Sequence, residues 1–319
     1  MRSLTLVVLL LASSSWAGAA VLLFPAVGTP GQVTLSGRVL KHSATGGSST
    51  FSKNLRRLTS SNWQGASVEV RYAERSAVVV SGHDGNFSVT LTGEKKPFEV
   101  GLATAEAFVK GAEAGIATVD IVDPNAAFLV VSDFDDTLAV TNVVKGAAVM
   151  KAALMQDETT QPVVEGMSEF YGCLKDDKPA RPGFALVSGS PAQYVGRVRQ
   201  FLSAHGFPVF GLYLRDLGPS TLSNYKQPVI RELLKGMPNP VVLVGDSGEH
   251  DPEVYQQMNE EFPGRVKAIY IRNAGHADDR KRFEGMMLFQ NPKEAALDAV
   301  KKGLASAECV ARAFPEVKN

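Results

Sequence analysis

Apolar residues change their spacing near residue 125, and the predicted elements change with them. Upstream, from Gln32 to about Val122, they alternate in short runs. Val33, Leu35 and Val39 fall on odd positions, followed by Val68, Val70 and Tyr72, then the run Val78–Val80. Phe87, Val89 and Leu91 repeat the alternation, as do Phe98, Val100 and Leu102. A period of two, broken by turns such as His83-Asp84-Gly85-Asn86, predicts half-buried strands. Several short strands in series predict a small antiparallel β-sandwich. The stretch Ser43–Ser61 is rich in small polar residues and reads as a loop. His42 and His83 have no partners in the pattern and read as surface or turn residues.

From Ala126 the apolar runs become continuous and end in polar clusters: AAFLVVSDFDD, RPGFALVSGSP, VFGLYLRD, PVVLVGDS and VKAIYIRN. Between them the period is helical. Tyr194, Val195, Val198, Phe201 and Leu202 share one face, and so do Val229, Ile230, Leu233 and Leu234. Asp251 reads as an N-cap with Pro252 at the first helical position, leading into Val254, Tyr255 and Met258. Buried strands alternating with helices predict an α/β fold, a parallel sheet covered on both faces. Such sheets bind ligands beyond the carboxyl ends of their strands, where these polar clusters fall. Val140–Lys178 reads as a small helical insert containing Ala147–Leu154 and Phe170-Tyr171, either a cap beside the site or a helix on the sheet edge. Ala295–Ala305 reads as a terminal helix.

The amino terminus adds a targeting signal. Arg2, the apolar run Leu4–Ala12, the break at Ser13–Ser15 and the small residues Ala17-Gly18-Ala19 read as a signal peptide cut near Ala19. The run is shorter than the ~20 residues that span a bilayer. A second apolar patch, Val21–Phe24, leaves a membrane anchor over Leu4–Phe24 as the alternative. The expected divisions are 1–19 for the signal, 26–124 for the β-domain and 125–319 for the α/β domain. Export would let Cys173 and Cys309 pair, but they lie far apart in sequence, and two free buried cysteines are the plainer reading.

Charge narrows the function classes. The chain of 319 residues carries 33 Lys+Arg and 33 Asp+Glu, so its net charge is zero and no nucleic-acid partner is expected. Two cysteines exclude a disulfide-dense scaffold or a cysteine zinc cluster. The triplet Arg280-Lys281-Arg282 reads as a solvated face, with contact to an anionic head group as the alternative.

Chemistry-bearing residues gather at four strand ends. Asp133-Phe134-Asp135-Asp136-Thr137 offers two carboxylates near one point, suited to a nucleophile and an acid/base. Ser188-Gly189-Ser190-Pro191 offers hydroxyl and backbone N–H groups for a phosphate. Lys226 opens a helix and can balance phosphoryl charge. Gly245-Asp246-Ser247-Gly248-Glu249-His250-Asp251 supplies acids for a hard, oxygen-seeking cation, with His250 facing solvent.

These four clusters, in this order, resemble the haloacid dehalogenase (HAD) phosphatase superfamily. The wording SDFDDT, VSGSP, LVGDSGEHDPEVY and FPGRVKAIYIRN is similar to the catalytic domain of the actin-patch-type phosphatidate phosphatases, over roughly Ala126–Arg272. The resemblance implies a Rossmann-like sheet and Mg²⁺-dependent hydrolysis of a phosphomonoester through an aspartyl-phosphate. It implies Asp133 as nucleophile, Asp135 as acid/base, and Ser188, Gly189 and Lys226 as holders of the phosphoryl group. Asp133, the Phe134 carbonyl, Asp246 and Asp251 would hold the Mg²⁺, with Asp135 a further candidate ligand, and Thr137 would orient the loop. Ala192 departs from relatives with a bulky aromatic after the proline, which implies an altered pocket. The implied substrate is a phosphorylated lipid such as phosphatidate, reached through membrane-surface contact by Ala147–Leu154 and Phe170. A soluble phosphoester or phosphoanhydride, or binding without catalysis on a relic site, are the alternatives.

Overall fold

The computed structural model describes residues 18–41, 61–141, 161–176, 178, 180–216, 225–275 and 277–316. Leu4–Ala12, His42, most of the loop at Ser43–Ser61 and Ala147–Leu154 lie outside the described residues.

The first half forms one nine-stranded sheet. Its strands are β1 (Ala19–Leu23), β2 (Ala26–Thr29), β3 (Gln32–Leu40), β4 (Ser67–Tyr72), β5 (Arg75–Val80), β6 (Asn86–Thr92), β7 (Gly101–Phe108), β8 (Ala112–Glu113) and β9 (Gly115–Ile121). The path runs β5-β4-β7-β9-β2-β3-β1-β8, with β6 also paired to β3. The sheet closes on a single core that includes Val33, Leu35, Val68, Val70, Phe87 and Val119. It differs from the expected sandwich: it is one continuous sheet, and β2–β9 and β1–β8 are parallel. Val21–Phe24, the suspected anchor extension, is instead largely strand β1, paired to β3 with Val21 and Leu23 buried. The fifth expected strand, at Phe98–Leu102, also starts later, at Gly101. Val100 and Leu102 are exposed, and Ala105 and Ala107 face the core.

The second half is a six-stranded parallel sheet of β10 (Leu129–Ser132), β11 (Gly183–Pro191), β12 (Gly211–Arg215), β13 (Val241–Asp246), β14 (Val266–Arg272) and β15 (Met287–Phe289). The order β12-β11-β10-β13-β14-β15 runs outward in both directions from β10. That is the order of a doubly wound sheet, with its switch point and ligand crevice between β10 and β13. Helices cover both faces. Val130, Leu186, Val242 and Val244 pack against α1 (Met167–Lys175), α2 (Val195–Ala204) and α5 (Pro292–Lys301). Leu129, Val131, Ala185 and Leu243 face α3 (Lys226–Gly236) and α4 (Asp251–Glu261). The period-two alternation survives inside strands that are apolar throughout because each face has its own core.

Cys173 of α1 and Cys309 of α6 (Ala307–Ala313) form a disulfide, with Cα atoms 5.5 Å apart. This overturns the expectation of free thiols. The bridge spans 136 positions, and on chain-entropy grounds such a closure contributes about 4–5 kcal/mol. Cys309→Ser, or reduction, should lower the melting temperature by on the order of 10 °C. Calorimetry with and without a reductant checks this, and an unchanged transition would contradict it. The helix expected at Ala295–Ala305 is α5, which ends at Lys301, and α6 follows it. No described helix is long and apolar enough to cross a membrane.

Candidate active site

The carboxyl end of β10 delivers Asp133, whose N–H donates to Val244 O at 2.9 Å and so continues the sheet by one residue. The chain then turns sharply. Asp136 adopts φ 53°, a left-handed conformation that Asp tolerates better than most residues. Its N–H donates to Ala139 O at 2.8 Å, and its Oδ1 accepts from Thr141 N at 2.9 Å. Arg272 Nη1 ties down Asp136 O at 2.5 Å. Phe134 is buried edge-on against Phe201, with ring centroids 5.2 Å apart, and anchors the turn in the core. The Phe134 carbonyl accepts from Leu138 N at 2.9 Å and Ala139 N at 3.1 Å. It is therefore engaged within its own turn, which does not fit the expected cation-binding role.

Asp133, Asp246 and Asp251 come together at the switch point, all buried, with one carboxylate oxygen from each within 4.8 Å of the others. Asp246 ends β13 and Asp251 opens α4. Asp251 is the first residue of that helix, and His250, not Asp251, is the cap position. Its carboxylate turns back to the strand end, where Oδ2 accepts from Asp246 N at 3.2 Å. Gly245 makes room for this. A Cβ there would lie 2.4 Å from Asp251 Oδ2 and 2.8 Å from Tyr255 Cε2. Thr137 Oγ1 donates to Asp133 Oδ2 at 3.2 Å.

Lys226 stands at the centre of these acids. Its Nζ lies 2.8 Å from Asp133 Oδ1, 2.6 Å from Asp251 Oδ1 and 3.0 Å from Glu249 Oε2. Burial opposes its charge, but Asp133, Asp251 and Glu249 together hold its pKa well above the ordinary lysine value. The acids show the reverse. Burial, then the neighbouring carboxylates, raise Asp133 and Asp251 above the usual carboxylate range, with Lys226 opposing. Burial first, and Asp251 next, push Asp246 up to about 7. If ionised, the three buried aspartates would outnumber the one ammonium by two charges, which is why burial favours their protonated forms without a cation. Asp246 Oδ1 accepts from Gly248 N at 2.6 Å, while its Oδ2 is buried without a hydrogen-bond partner. An orphaned carboxylate oxygen and acids that on ionising exceed the ammonium by two charges fit a divalent, oxygen-liganded cation.

Asp135 does not join this cluster. It lies on the rim, where its Oδ2 accepts from Ser188 Oγ at 3.1 Å and Ser190 Oγ at 2.8 Å. Burial raises its pKa, and the serine bonds partly offset that. Its place beside the serines argues against the cation-ligand role expected for it. The serines converge because β11 bulges. Ser188 pairs with Leu214 and Pro191 with Arg215, so Gly189 and Ser190 are extra residues thrown out of register. Ser190 N donates to Ser188 Oγ at 3.0 Å, and Arg215 Nε to Gly189 O at 3.3 Å.

Several expectations shift. Ala192 is fully buried in the core with α2 rather than lining a pocket. Phe170 is fully buried against Tyr270 and Tyr171, so it is not an exposed lipid contact. Arg282 turns inward to Ser247 O, Glu249 O and the Glu253 carboxylate, bracing the Gly245–Asp251 loop. His250 is exposed, as expected. Ser190 and Glu249 escape sequence reasoning as site residues although both lie inside the motifs. Tyr171 is more than aromatic bulk. Its hydroxyl meets Ser132 Oγ at 2.6 Å, directly beneath Asp133.

The second half is thus a doubly wound α/β domain with a lysine-bridged carboxylate cluster at its switch point, a cluster that could hold a metal ion. Residues 128–273 match the family described as phosphatidate phosphatase APP1, catalytic domain. Phosphatidate phosphatase APP1 of Saccharomyces cerevisiae is 33% identical over 150 residues, 44% of this chain and 25% of that protein. An uncharacterized protein of Schizosaccharomyces pombe is 27% identical over 198 residues, 59% of this chain and 31% of that one. The chain thus spans about a quarter to a third of the length of these relatives. A chain from the structure of a Pnkp1/Rnl/Hen1 complex overlaps with 16% identity over 53% of this chain and 46% of that one, at a TM-score of 0.34 that bears on neither fold nor function.

Proposed function

We propose that this chain is an exported Mg²⁺-dependent phosphatase of the haloacid dehalogenase type that hydrolyses a lipid phosphomonoester, phosphatidate first, through an aspartyl-phosphate at Asp133. The observation that carries this reading is the buried cluster of Asp133, Asp246 and Asp251 around Lys226, within a segment that matches the APP1 catalytic family.

Asp133, Asp246 and Asp251 would hold the Mg²⁺. When bound, the ion offsets the repulsion between a carboxylate and a phosphate dianion and lets Asp133 ionise despite burial. Thr137 and Lys226 fix the two oxygens of Asp133, so one faces phosphorus in a defined direction. Lys226 and the Ser188–Ser190 bulge take the phosphoryl oxygens. Asp135, whose raised pKa keeps its proton nearer neutral pH, gives that proton to the leaving oxygen as the P–O bond breaks. The lipid alcohol departs and phosphate stays on Asp133. Asp135 then takes a proton from water as it attacks phosphorus, and inorganic phosphate and free Asp133 result.

The test measures phosphate release from phosphatidate in mixed micelles and from a soluble aryl phosphate, with Mg²⁺ and after exhaustive chelation. Release from phosphatidate that chelation abolishes and Mg²⁺ restores is expected. Good turnover of the soluble ester with none of phosphatidate would remove the lipid assignment. Undiminished turnover after chelation would remove the metal.

A further inference from the structure

Arg38 is a buried charge in the nine-stranded sheet. It is 1% exposed, in a strand whose neighbours are apolar, and a buried guanidinium needs a strong partner. It has two. Arg38 Nε donates to Asn86 Oδ1 at 2.8 Å, its cross-strand neighbour on β6, and Nη2 donates to Asp216 Oδ1 at 2.8 Å. Asn86 Nδ2 donates to Asp216 Oδ2 at 2.7 Å. Both oxygens of Asp216, which belongs to the α/β half, are therefore held by side chains of the β half.

Docking alone does not call for this. The halves already meet elsewhere. Arg181 pairs with Asp120, Arg199 Nη1 donates to Ile116 O at 3.2 Å, and Leu212 N donates to Pro25 O at 2.8 Å. Phe24 and Val27 are buried in the two cores of the α/β half. What distinguishes the Arg38 contact is its place. Asp216 directly follows Arg215, the last residue of β12, at the carboxyl edge that carries the site. Arg215 pairs with Pro191 and holds Gly189 O, and these positions bracket the bulge that aims Ser188 and Ser190 at Asp135.

We infer that Arg38 and Asn86 are positioning residues: through Asp216 and Arg215 they fix the Gly189-Ser190 bulge that receives the phosphoryl group. The β-sheet half is then a working part of the active site rather than an appended module. This rests on the phosphatase reading for the identity of the group that the bulge receives.

The experiment uses the purified chain with Mg²⁺. Binding of inorganic phosphate is followed by calorimetry, and kinetics with a soluble aryl phosphate. Asp216→Ala is expected to raise both the phosphate Kd and the KM about tenfold, as loss of one charge-assisted anchor would, with kcat changed far less. Asn86→Ala, which removes one arm and keeps the ion pair, should raise both about threefold on the same scale. It decides the matter if Asp216→Ala does not fold. An unchanged phosphate Kd with only a lowered melting temperature would overturn the inference and leave Arg38 a purely structural clamp. If the wild-type chain binds phosphate but turns over no ester, the phosphatase reading fails while the Kd comparison still decides the positioning role. If it binds no phosphate, both fall.

Discussion

Asp133→Asn is expected to lower turnover at least about a thousandfold, because an amide cannot serve as the nucleophile that the other groups are arranged to support. The same change should not unfold the protein. Asp133 is fully buried, and burial together with Asp251, Glu249 and Asp246 already disfavours its charge. A neutral amide of the same shape relieves that repulsion and can still accept from Thr137. The metal-free variant should therefore melt at or above the wild-type temperature while phosphate release is lost. Residual activity within tenfold of wild type would remove Asp133 from the central role.

Lys226→Met has an equally large effect on activity and the opposite effect on stability. One ammonium lies 2.8, 2.6 and 3.0 Å from Asp133, Asp251 and Glu249, and it donates a hydrogen bond to Asp251. Removing it leaves buried carboxylates facing one another, at a cost of about 3–5 kcal/mol. Lys226→Arg should not rescue turnover, since a planar fork cannot direct donors to three acceptors around a point. The stability loss has a defined pH dependence. With the ammonium gone, the buried acids of this site have pKa values raised further than in wild type. Groups with raised folded pKa stabilise the fold while protonated and lose that contribution as pH rises through the folded value. The deficit of the metal-free variant against wild type should therefore be small in acid and grow as pH passes about 7, where Asp246 already titrates in the wild-type site. Denaturant melts from pH 5 to 8 measure this, and a pH-independent deficit would contradict it.

Much of the site was legible because its chemistry is local. The motifs at Asp133, Ser188, Lys226 and Asp246 each end a strand or open a helix, and an apolar run followed by polar residues marks those positions without reference to the rest of the fold. The parallel sheet was legible for the same reason. What escaped depends on long-range approach. Cys173 and Cys309 meet only because α1 and α6 pack together, which no spacing encodes. Arg38 reads as an outward strand position between apolar neighbours, and only the facing Asp216 explains its burial. Strand β1 was hidden by its own composition, since AAVLL continues a signal-like apolar run. Phe170 shows the converse error. An aromatic in an insert suggested an exposed contact, but its helix packs against α5 and α6 and the ring joins the core. The bulge at Gly189-Ser190 was invisible because register is set by β12, a separate strand.

The most direct measurement is the location of the phosphoryl group during turnover. Enzyme mixed rapidly with substrate and Mg²⁺, quenched within the first turnover and reduced with borohydride, converts an aspartyl-phosphate into homoserine that peptide mass spectrometry can place. Homoserine at position 133, absent without substrate and absent in Asp133→Asn, is the expected result. Homoserine at another position, or none while phosphate is being released, would contradict nucleophilic attack by Asp133.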